Sequence, residues 1–273
     1  MARMIHWTPE LIGRFWSGVS QTRLREYNFS RVAAPYLIEL VGGHLKPQGR
    51  HLDFGAGEGD LVRALVERGF ATAAYEPVVA RRLRIPGEMS QHPQYLGVVQ
   101  DGGPERFDVV LMVEVIEHIL DEELEGAFQK VRSFLVEGGT LIVTTPNAED
   151  LELGSAYCPM CETLFHRWQH VRSFTPDRLT EFLRRQGFSC LFLHQVDFSD
   201  QRFPIEALKA IKRRQDEEER AAKAREERRL VKRLKRFIRG QKLVAENPEP
   251  LAEESKNLLV GSQSHLVYIG VRS

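Results

Sequence analysis

A glycine-rich turn is the clearest candidate binding element in the sequence. Residues 51–61 read HLDFGAGEGDL, in which an apolar run leads into three glycines separated by single residues. Glycine lets a backbone turn tightly and approach a bound molecule closely, because it has no side chain to interfere. Turns of this kind bind nucleotide-derived cofactors, so the glycines alone leave more than one ligand class open.

Acidic residues in and after the turn distinguish two of those classes. In a dinucleotide site the pyrophosphate would face Glu58 and Asp60, which is electrostatically unfavourable. S-adenosylmethionine carries a sulfonium and an ammonium group and no phosphate, so an acidic turn suits it better. Glu76, at the tip of the next apolar run, can accept hydrogen bonds from both hydroxyls of a ribose. The pattern therefore favours S-adenosylmethionine over a dinucleotide.

The segment EVIEHI holds the residues best suited to acid–base chemistry, Glu114, Glu117 and His118. It follows an apolar run, so it is expected at the ligand-binding edge of a sheet. Methylation of a hydroxyl requires alignment of the oxygen and removal of its proton. The segment thus favours oxygen as the methyl acceptor, with His118 as the preferred base. Alternatively, Glu117 caps the following helix and His118 packs structurally; the residues leave both interpretations open.

A cysteine pair followed by two histidines has the spacing of a small zinc knuckle. Tetrahedral zinc readily accepts two thiolates and two imidazoles, and the four predicted ligands are Cys158, Cys161, His166 and His170. Such a structural site would order a loop over the acceptor pocket. The alternatives are two reduced surface thiols or a redox pair. Arg167 and Arg172 would lie near the pocket and suit an anionic acceptor, such as a phosphorylated or lipid-diphosphate sugar.

Alternating apolar and amphipathic segments supply the frame for these residues. Strands are predicted at 51–54, 72–75, 95–99, 108–113, 140–145, 188–198 and 264–273, and helices at 60–69, 78–84, 121–136 and 176–186. Thr175 is the expected N-cap of the last helix, with Pro176 in its first turn. This order predicts an α/β fold with a parallel sheet and helices on both faces.

Three regions are expected along the chain. Residues 1–47 read as a helical cap, residues 48–201 with 263–273 as the ligand-binding domain, and residues 202–262 as a long charged helical insertion before the last strand. Within the insertion, residues 209–242 contain 15 Lys/Arg against six Asp/Glu. Segment 208–240 could contact a membrane surface, a protein partner or RNA, or form a solvated helix with many ion pairs.

Bulk properties narrow the function classes further. The formal net charge is zero, which argues against a general attraction to nucleic acid. No apolar run approaches the roughly 20 residues of a membrane span, and the N-terminus lacks a signal-peptide core, so a cytoplasmic protein is expected. Three cysteines do not make a disulfide framework.

Four segments together resemble the class I S-adenosylmethionine-dependent methyltransferases: LDFGAGEGDL, YEP, FDVVLMVEVIEHI and GGTLIVTTPN. The resemblance covers residues 48–198 and the final strand in the family's order. It implies a Rossmann-like, seven-stranded, mostly parallel sheet whose last strand is antiparallel. It also implies contacts to the methionine moiety from Asp53 and the turn, to ribose from Glu76, to adenine from Gln100 and Asp101, and flanking contacts from Met112 and Val113. The implied cofactor-binding set is Asp53, Gly55, Ala56, Gly57, Glu76, Gln100, Asp101, Met112 and Val113.

The E-x-x-E-H element is most similar to the ubiquinone-pathway O-methyltransferases. Small-RNA 2′-O-methyltransferases share it, add a later histidine and bind a divalent metal, which here would be Mg²⁺ with His170 as that histidine. His170 cannot easily serve both metals, and we assign it to zinc first. The predicted function is O-methylation of a small-molecule, sugar or lipid-linked glycan acceptor, as in polysaccharide biosynthesis. An RNA 2′-O-methyltransferase and a non-catalytic scaffold are the alternatives.

Overall fold

The computed structural model describes residues 3–85, 87–198, 220, 223 and 264–273. The chain divides into two compact units, residues 1–201 with 256–273, and residues 202–255. Every element below belongs to the first unit. The predicted charged insertion at 202–262, and with it the predicted contact helix at 208–240, lies outside the described residues apart from Arg220 and Lys223. The predicted domain boundaries therefore stay predictions.

A seven-stranded sheet forms the centre of this unit, in the order β4-β3-β2-β5-β6-β10-β9. Its strands are β2 (Arg50–Phe54), β3 (Ala71–Tyr75), β4 (Tyr95–Val98), β5 (Phe107–Val113), β6 (Leu135–Pro146), β9 (Phe188–Val196) and β10 (His265–Arg272). The five neighbouring strands β4, β3, β2, β5 and β6 pair in parallel. Strand β10 is antiparallel to both of its neighbours, β6 and β9. The predicted mostly parallel α/β sheet with an antiparallel last strand is confirmed.

The part of the chain that the structure describes contains six α-helices beside the sheet: α1 (Pro9–Ser20), α2 (Phe29–Val41), α3 (Asp60–Val66), α4 (Val79–Arg82), α5 (Asp121–Phe134) and α6 (Pro176–Arg185). Thr175 caps α6 by accepting a hydrogen bond from the Arg178 amide, as its sequence predicts. One apolar cluster joins α2 and α3 to one face of the sheet, and a second joins α5 and α6 to the other. Among the described residues, no helix is long and apolar enough to span a bilayer.

A second, three-stranded sheet was not predicted. Strands β7 (Ser155–Cys158) and β8 (Thr163–His166) form an antiparallel hairpin, and β1 (Arg3–Met4) pairs in parallel with β8. The N-terminal region is therefore not purely helical, since its first described residues extend this small sheet. The hairpin occupies the region in which the sequence predicts a zinc-bound loop.

Candidate active site

A cavity of about 910 Å³ lies at the carboxyl ends of four parallel strands. Its lining includes the segments that follow β2, β3, β5 and β6, together with residues of α1, α2 and the loop after β8. Ligands bind at this edge in open α/β sheets because the connecting loops and helix N-termini converge there. The volume is at the upper end of the range for small-molecule pockets, which leaves room for a cofactor and an acceptor.

The glycine turn forms one wall of the cavity. Gly55, Gly57 and Gly59 all have positive φ angles, of 86°, 58° and 85°. At Gly55 an added Cβ would lie 2.6 Å from the Val115 side chain, so both conformation and space require glycine. The amides of Gly55 and Ala56 donate to the Tyr75 carbonyl, which ties the turn to the end of β3.

Glu76 lines the cavity and braces the turn. Its side chain is almost fully buried, with Oε2 accepting from the Gly57 amide at 2.7 Å and Oε1 from the Val78 amide at 2.8 Å. Burial raises the pKa of Glu76, although Arg81 and these two amides oppose the shift. These hydrogen bonds therefore fix the Glu76 side chain beside the turn.

Asp53 is buried beneath the turn and does not itself line the cavity. Burial, and secondly the charge of Glu76, raise the pKa of Asp53 to about 8. Two neighbouring carboxyl groups that are costly to ionise make this end of the cavity favourable for a cationic ligand. Arg81 supplies part of this positive charge, because its Nη1 lies 4.0 Å from Glu76 Oε2.

The predicted cofactor residues other than Asp53 divide into two groups. Gly55, Ala56, Gly57, Glu76 and Val113 line the cavity. Three do not: Met112 is fully buried in the core, Asp101 forms an ion pair with Lys130 at 2.7 Å, and Gln100 is exposed outside the cavity. Their predicted contacts with the cofactor stay predictions.

Glu117, His118 and His170 come together beside the cavity, which His118 and His170 line. One ligand atom from each lies within 4.8 Å of the others. Glu117 is fully buried and its Oε2 accepts from Thr145 Oγ1 at 3.0 Å, while Oε1 lies 3.8 Å from His118 Nε2. Burial raises the pKa of Glu117 well above its usual value, and burial followed by the neighbouring His170 lowers the pKa of His118 far below its own.

Glu114 lines the same cavity but is directed elsewhere. Its backbone has a positive φ of 52°, and its Oε1 accepts from Thr144 Oγ1 at 2.7 Å. Its Oε2 lies 3.7 Å from Nε2 of His265, a residue of β10. Glu114 is therefore absent from the Glu117–His118–His170 group.

Glu149 was missed by sequence reasoning, and it pairs with two histidines. Its Oε2 lies 2.5 Å from His170 Nδ1 and its Oε1 lies 3.2 Å from His166 Nε2. Burial opposes ionisation of Glu149, but the hydrogen bonds from His166 and His170 outweigh it and hold the pKa at about 2. The Nδ1 atom of His166 accepts from the amides of Trp168 and His170, which leaves the proton of the neutral ring on Nε2.

The structure does not bring the four predicted zinc ligands together. Cys158 pairs with Thr163 at the tip of the β7–β8 hairpin, whereas His166 pairs with Ser155 at its base. Three residues along a strand span roughly 10 Å, so Cys158 and His166 are held at opposite ends of the hairpin. Within the described part of the chain, neither Cys158 nor Cys161 belongs to a metal-binding group, and His170 lies with the Glu117 cluster.

The expected anion-binding arginines are also used elsewhere. Arg172 donates to the Ile116 carbonyl and to Asp121, and Arg167 donates to the Gly154 carbonyl. Neither lines the cavity, and Arg81 is the one lysine or arginine among the described residues that does. Nothing in the predicted pair therefore supports an anionic acceptor.

A buried contact links the N-terminal cap to the acid–base residues. Trp16 Nε1 donates to Gln169 Oε1 at 2.9 Å, and Gln169 Nε2 donates to the His118 carbonyl at 3.0 Å. The Trp16 and His118 rings meet edge to face at 5.1 Å. No local sequence signal could reveal this link, because 153 positions separate Trp16 from Gln169.

Comparison with known proteins gives a consistent family. A family model described as a methyltransferase domain matches residues 24–192. A ubiquinone biosynthesis O-methyltransferase from Bradyrhizobium sp. (strain ORS 278) is 30% identical over 146 residues, covering 49% of this chain and 56% of that protein.

Two solved structures are similar to the chain in fold. One is the Burkholderia thailandensis 1,6-didemethyltoxoflavin-N1-methyltransferase with bound 1,6-didemethyltoxoflavin and S-adenosylhomocysteine, with a TM-score of 0.55, 14% identity, and coverage of 98% of this chain and 92% of that one. The other is the CcbJ methyltransferase from Streptomyces caelestis, with a TM-score of 0.50, 16% identity, and coverage of 90% and 95%.

Proposed function

Because the chain belongs to the methyltransferase domain family and is a class I S-adenosylmethionine-dependent enzyme, we propose that it methylates a hydroxyl oxygen of a small-molecule or sugar acceptor. One observation carries this proposal: His118 and His170, which form a buried group with Glu117, line the same cavity as the glycine turn. A hydroxyl needs a base to become a good nucleophile, and this cluster supplies one beside the cofactor end.

The residues around the turn fit the cofactor. S-adenosylmethionine supplies an electrophilic methyl group on a sulfonium when it is bound. Glu76 would accept hydrogen bonds from the ribose, and Gly55 and Gly57 would let the ligand approach bare backbone. Glu58 and Asp60 lie close to this end, and a bound cation would favour ionisation of Asp53, which suits the positive sulfonium and ammonium groups.

His118 is the proposed base. Its lowered pKa keeps the imidazole neutral near pH 7, so it can accept the hydroxyl proton. His118 Nδ1 has no hydrogen-bond partner among the described residues, whereas Nε2 faces Glu117 Oε1 at 3.8 Å. Glu117 would orient the ring through Nε2, and Glu114 would hold the adjacent backbone through Thr144.

A divalent metal is the second role that the same cluster supports. Buried Glu117 Oε1 and His118 Nδ1 lack hydrogen-bond partners in the described part of the chain, which is typical of side chains that bind a metal or another ligand. One carboxylate and two imidazoles suit Zn²⁺, Mn²⁺ or Fe²⁺ better than Mg²⁺, which prefers oxygen donors. Glu149 would then hold the His170 ring from its other nitrogen.

RNA 2′-O-methylation is the second candidate function, and this metal-like cluster is the observation in its favour. Six carboxylate side chains line the cavity, which disfavours a phosphate backbone. Retention on RNA that is lost with salt, together with activity lost to a chelator and restored by Mn²⁺, would support it. Because the carboxylates of the cavity disfavour a phosphate backbone, we place the small acceptor first.

The test is methyl transfer from S-adenosylmethionine with a deuterated methyl group into a panel of hydroxylated small molecules and sugars. We expect a product in which the labelled methyl group is attached to oxygen, identified by mass spectrometry and NMR. Methylation found on nitrogen alone, or binding of S-adenosylhomocysteine with no transfer to any acceptor, would contradict the proposal. The second outcome would favour a non-catalytic scaffold.

A further inference from the structure

The cavity is strongly negative in its ionisable side chains. Six carboxylates line it: Glu58, Asp60, Glu76, Glu114, Glu123 and Glu149. Among the lysines and arginines of the described residues, Arg81 is the one that lines the cavity. Arg31 and Arg84 lie outside the lining, 3.2 Å from Asp60 and 3.9 Å from Glu58. The histidines that also line it, His118, His170 and His265, do not offset this excess when neutral.

Arg81 is already engaged within the cavity wall. Its guanidinium carbon lies 4.5 Å from the centroid of the Trp16 ring, and its Nη1 lies 4.0 Å from Glu76 Oε2. It also contacts Gly57, so its charge belongs to the cofactor end. An anionic group on the acceptor would therefore find no uncommitted lysine or arginine in the described lining.

Only three of the six carboxylates that line the cavity lie at the expected cofactor site. Glu58, Asp60 and Glu76 belong to the turn and to the tip of β3, where the sulfonium and ammonium groups are expected. The other three carboxylates lie elsewhere: Glu114 beside His265, Glu149 beside His166 and His170, and Glu123 in the first turn of α5. These three also line the cavity, away from the turn and the tip of β3.

Aromatic side chains complete the lining: Trp16, Tyr27, Phe29, Trp168 and Phe198. Phe29, Phe198 and His265 contact one another, with ring centroids 5.0 to 5.6 Å apart, so one wall is built of packed rings. Such faces stack on rings and attract cations through the negative face of the π-system. Aromatic faces next to carboxylates are a poor environment for an anion.

We propose that the acceptor is an uncharged or positively charged hydroxylated ring compound, and that the cavity excludes phosphorylated, diphosphorylated and carboxylated acceptors. This inference rests on the proposed function, because it describes the acceptor of the same reaction. It reverses the expectation of a phosphorylated or lipid-diphosphate sugar, which depended on Arg167 and Arg172.

Three probes that differ in charge test the inference: catechol, 4-(2-aminoethyl)catechol and 3,4-dihydroxybenzoate. Binding to the full chain saturated with S-adenosylhomocysteine is measured by tryptophan fluorescence and calorimetry. We expect catechol and the amine to bind at least about tenfold more tightly than the carboxylate. Equal or tighter binding of the carboxylate, or no binding of any probe, overturns the inference.

Variants at the cavity rim separate charge from shape. Glu123→Lys should reduce the preference against the carboxylate several-fold, because Glu123 lines the cavity. Glu122→Lys is the matched control, since it lies in the same helical turn, is exposed and does not line the cavity. An unchanged preference in Glu123→Lys contradicts the electrostatic cause. Weaker binding of the carboxylate probe together with no O-methyl transfer would contradict the proposed function and still support this inference.

Discussion

At the scale of single residues, burial decides what the charged groups can do. Asp53, Glu117 and His118 are each removed from water, so the neutral form of each is favoured. Glu149 is the opposite case, because two imidazoles on its carboxylate favour its ionised form. The cavity thus places a neutral base beside an ionised carboxylate, a separation of roles that acid–base catalysis requires.

Replacement of His118 tests its role as base. His118→Asn should lower methyl transfer by at least about 100-fold, because general-base catalysis typically contributes that much. Binding of S-adenosylhomocysteine should stay within a few-fold. In the unchanged chain with saturating S-adenosylmethionine, the low pKa of His118 should keep activity constant down to pH values below the usual histidine range.

The control for that substitution is His6→Asn, an exposed histidine that does not line the cavity. Rates are measured with the acceptor identified in the labelled-methyl assay. Retained activity in His118→Asn would transfer the role of base to His170 and Glu149.

Asp53 should couple cofactor binding to proton release. A cationic ligand favours ionised Asp53, so binding should drive its proton off when the pH is below about 8. The affinity for S-adenosylmethionine should therefore increase as pH rises from 6 and level off near pH 8. Calorimetry in two buffers of different ionisation enthalpy measures the protons released.

Asp53→Asn is the matched variant for this coupling, because it removes the titrating group and keeps the shape. It should lose that part of the pH dependence. It should also stabilise the cofactor-free chain at pH 8, since a folded-state pKa raised above the unfolded value loses stability as pH rises between the two values. A variant with the same proton release as the unchanged chain would refute the assignment.

At the scale of elements, the connection from β2 to α3 is fixed by sterics. Gly55 adopts a positive φ and packs against Val115, while its amide donates to the end of β3. The segment that follows β5 brings Glu117 and His118 to the same edge of the sheet. Two neighbouring βα connections thus carry the cofactor end and the chemical end of one site.

Gly55→Ala and Gly69→Ala form a matched pair. Both glycines have a φ of 86°, but a Cβ at Gly55 would meet Val115 at 2.6 Å, whereas nothing lies within 4 Å at Gly69. Gly69→Ala should cost about 1 kcal/mol for the left-handed conformation alone. Gly55→Ala should cost more and abolish S-adenosylhomocysteine binding, as measured by denaturation and calorimetry. Equal effects of the two substitutions would show that the turn tolerates a side chain.

At the scale of the whole molecule, long-range contacts assemble the roof of the cavity. Trp16 from the cap, Gln169 and His170 from the loop after β8, and His265 from the last strand converge on residues that follow β5. Each is far away in sequence from its partner. The site therefore forms only when the cap, the hairpin and β10 are all in place.

The hairpin separates its cysteines from this assembly, so they should be dispensable. A chain carrying both Cys158→Ser and Cys161→Ser should keep S-adenosylhomocysteine binding within about twofold and stability within about 0.5 kcal/mol. His166→Ala, from the same predicted ligand set, should destabilise clearly because it removes one of the two imidazoles beside Glu149 and leaves two amides without their acceptor. Loss of bound zinc with a fall in Tm in the cysteine variant would restore the zinc knuckle.

The sequence by itself determined the sheet, the glycine turn, the position of Glu76 and the place of the E-x-x-E-H segment. These features are local, because each strand, turn and following helix is encoded by steric and apolar patterns within a few residues. Only the tertiary structure decided that Glu149 pairs with His170, that Trp16 reaches Gln169, and that Cys158 and His166 lie apart. Those outcomes depend on hairpin register and on how distant segments return to the sheet edge, which no short stretch of sequence specifies.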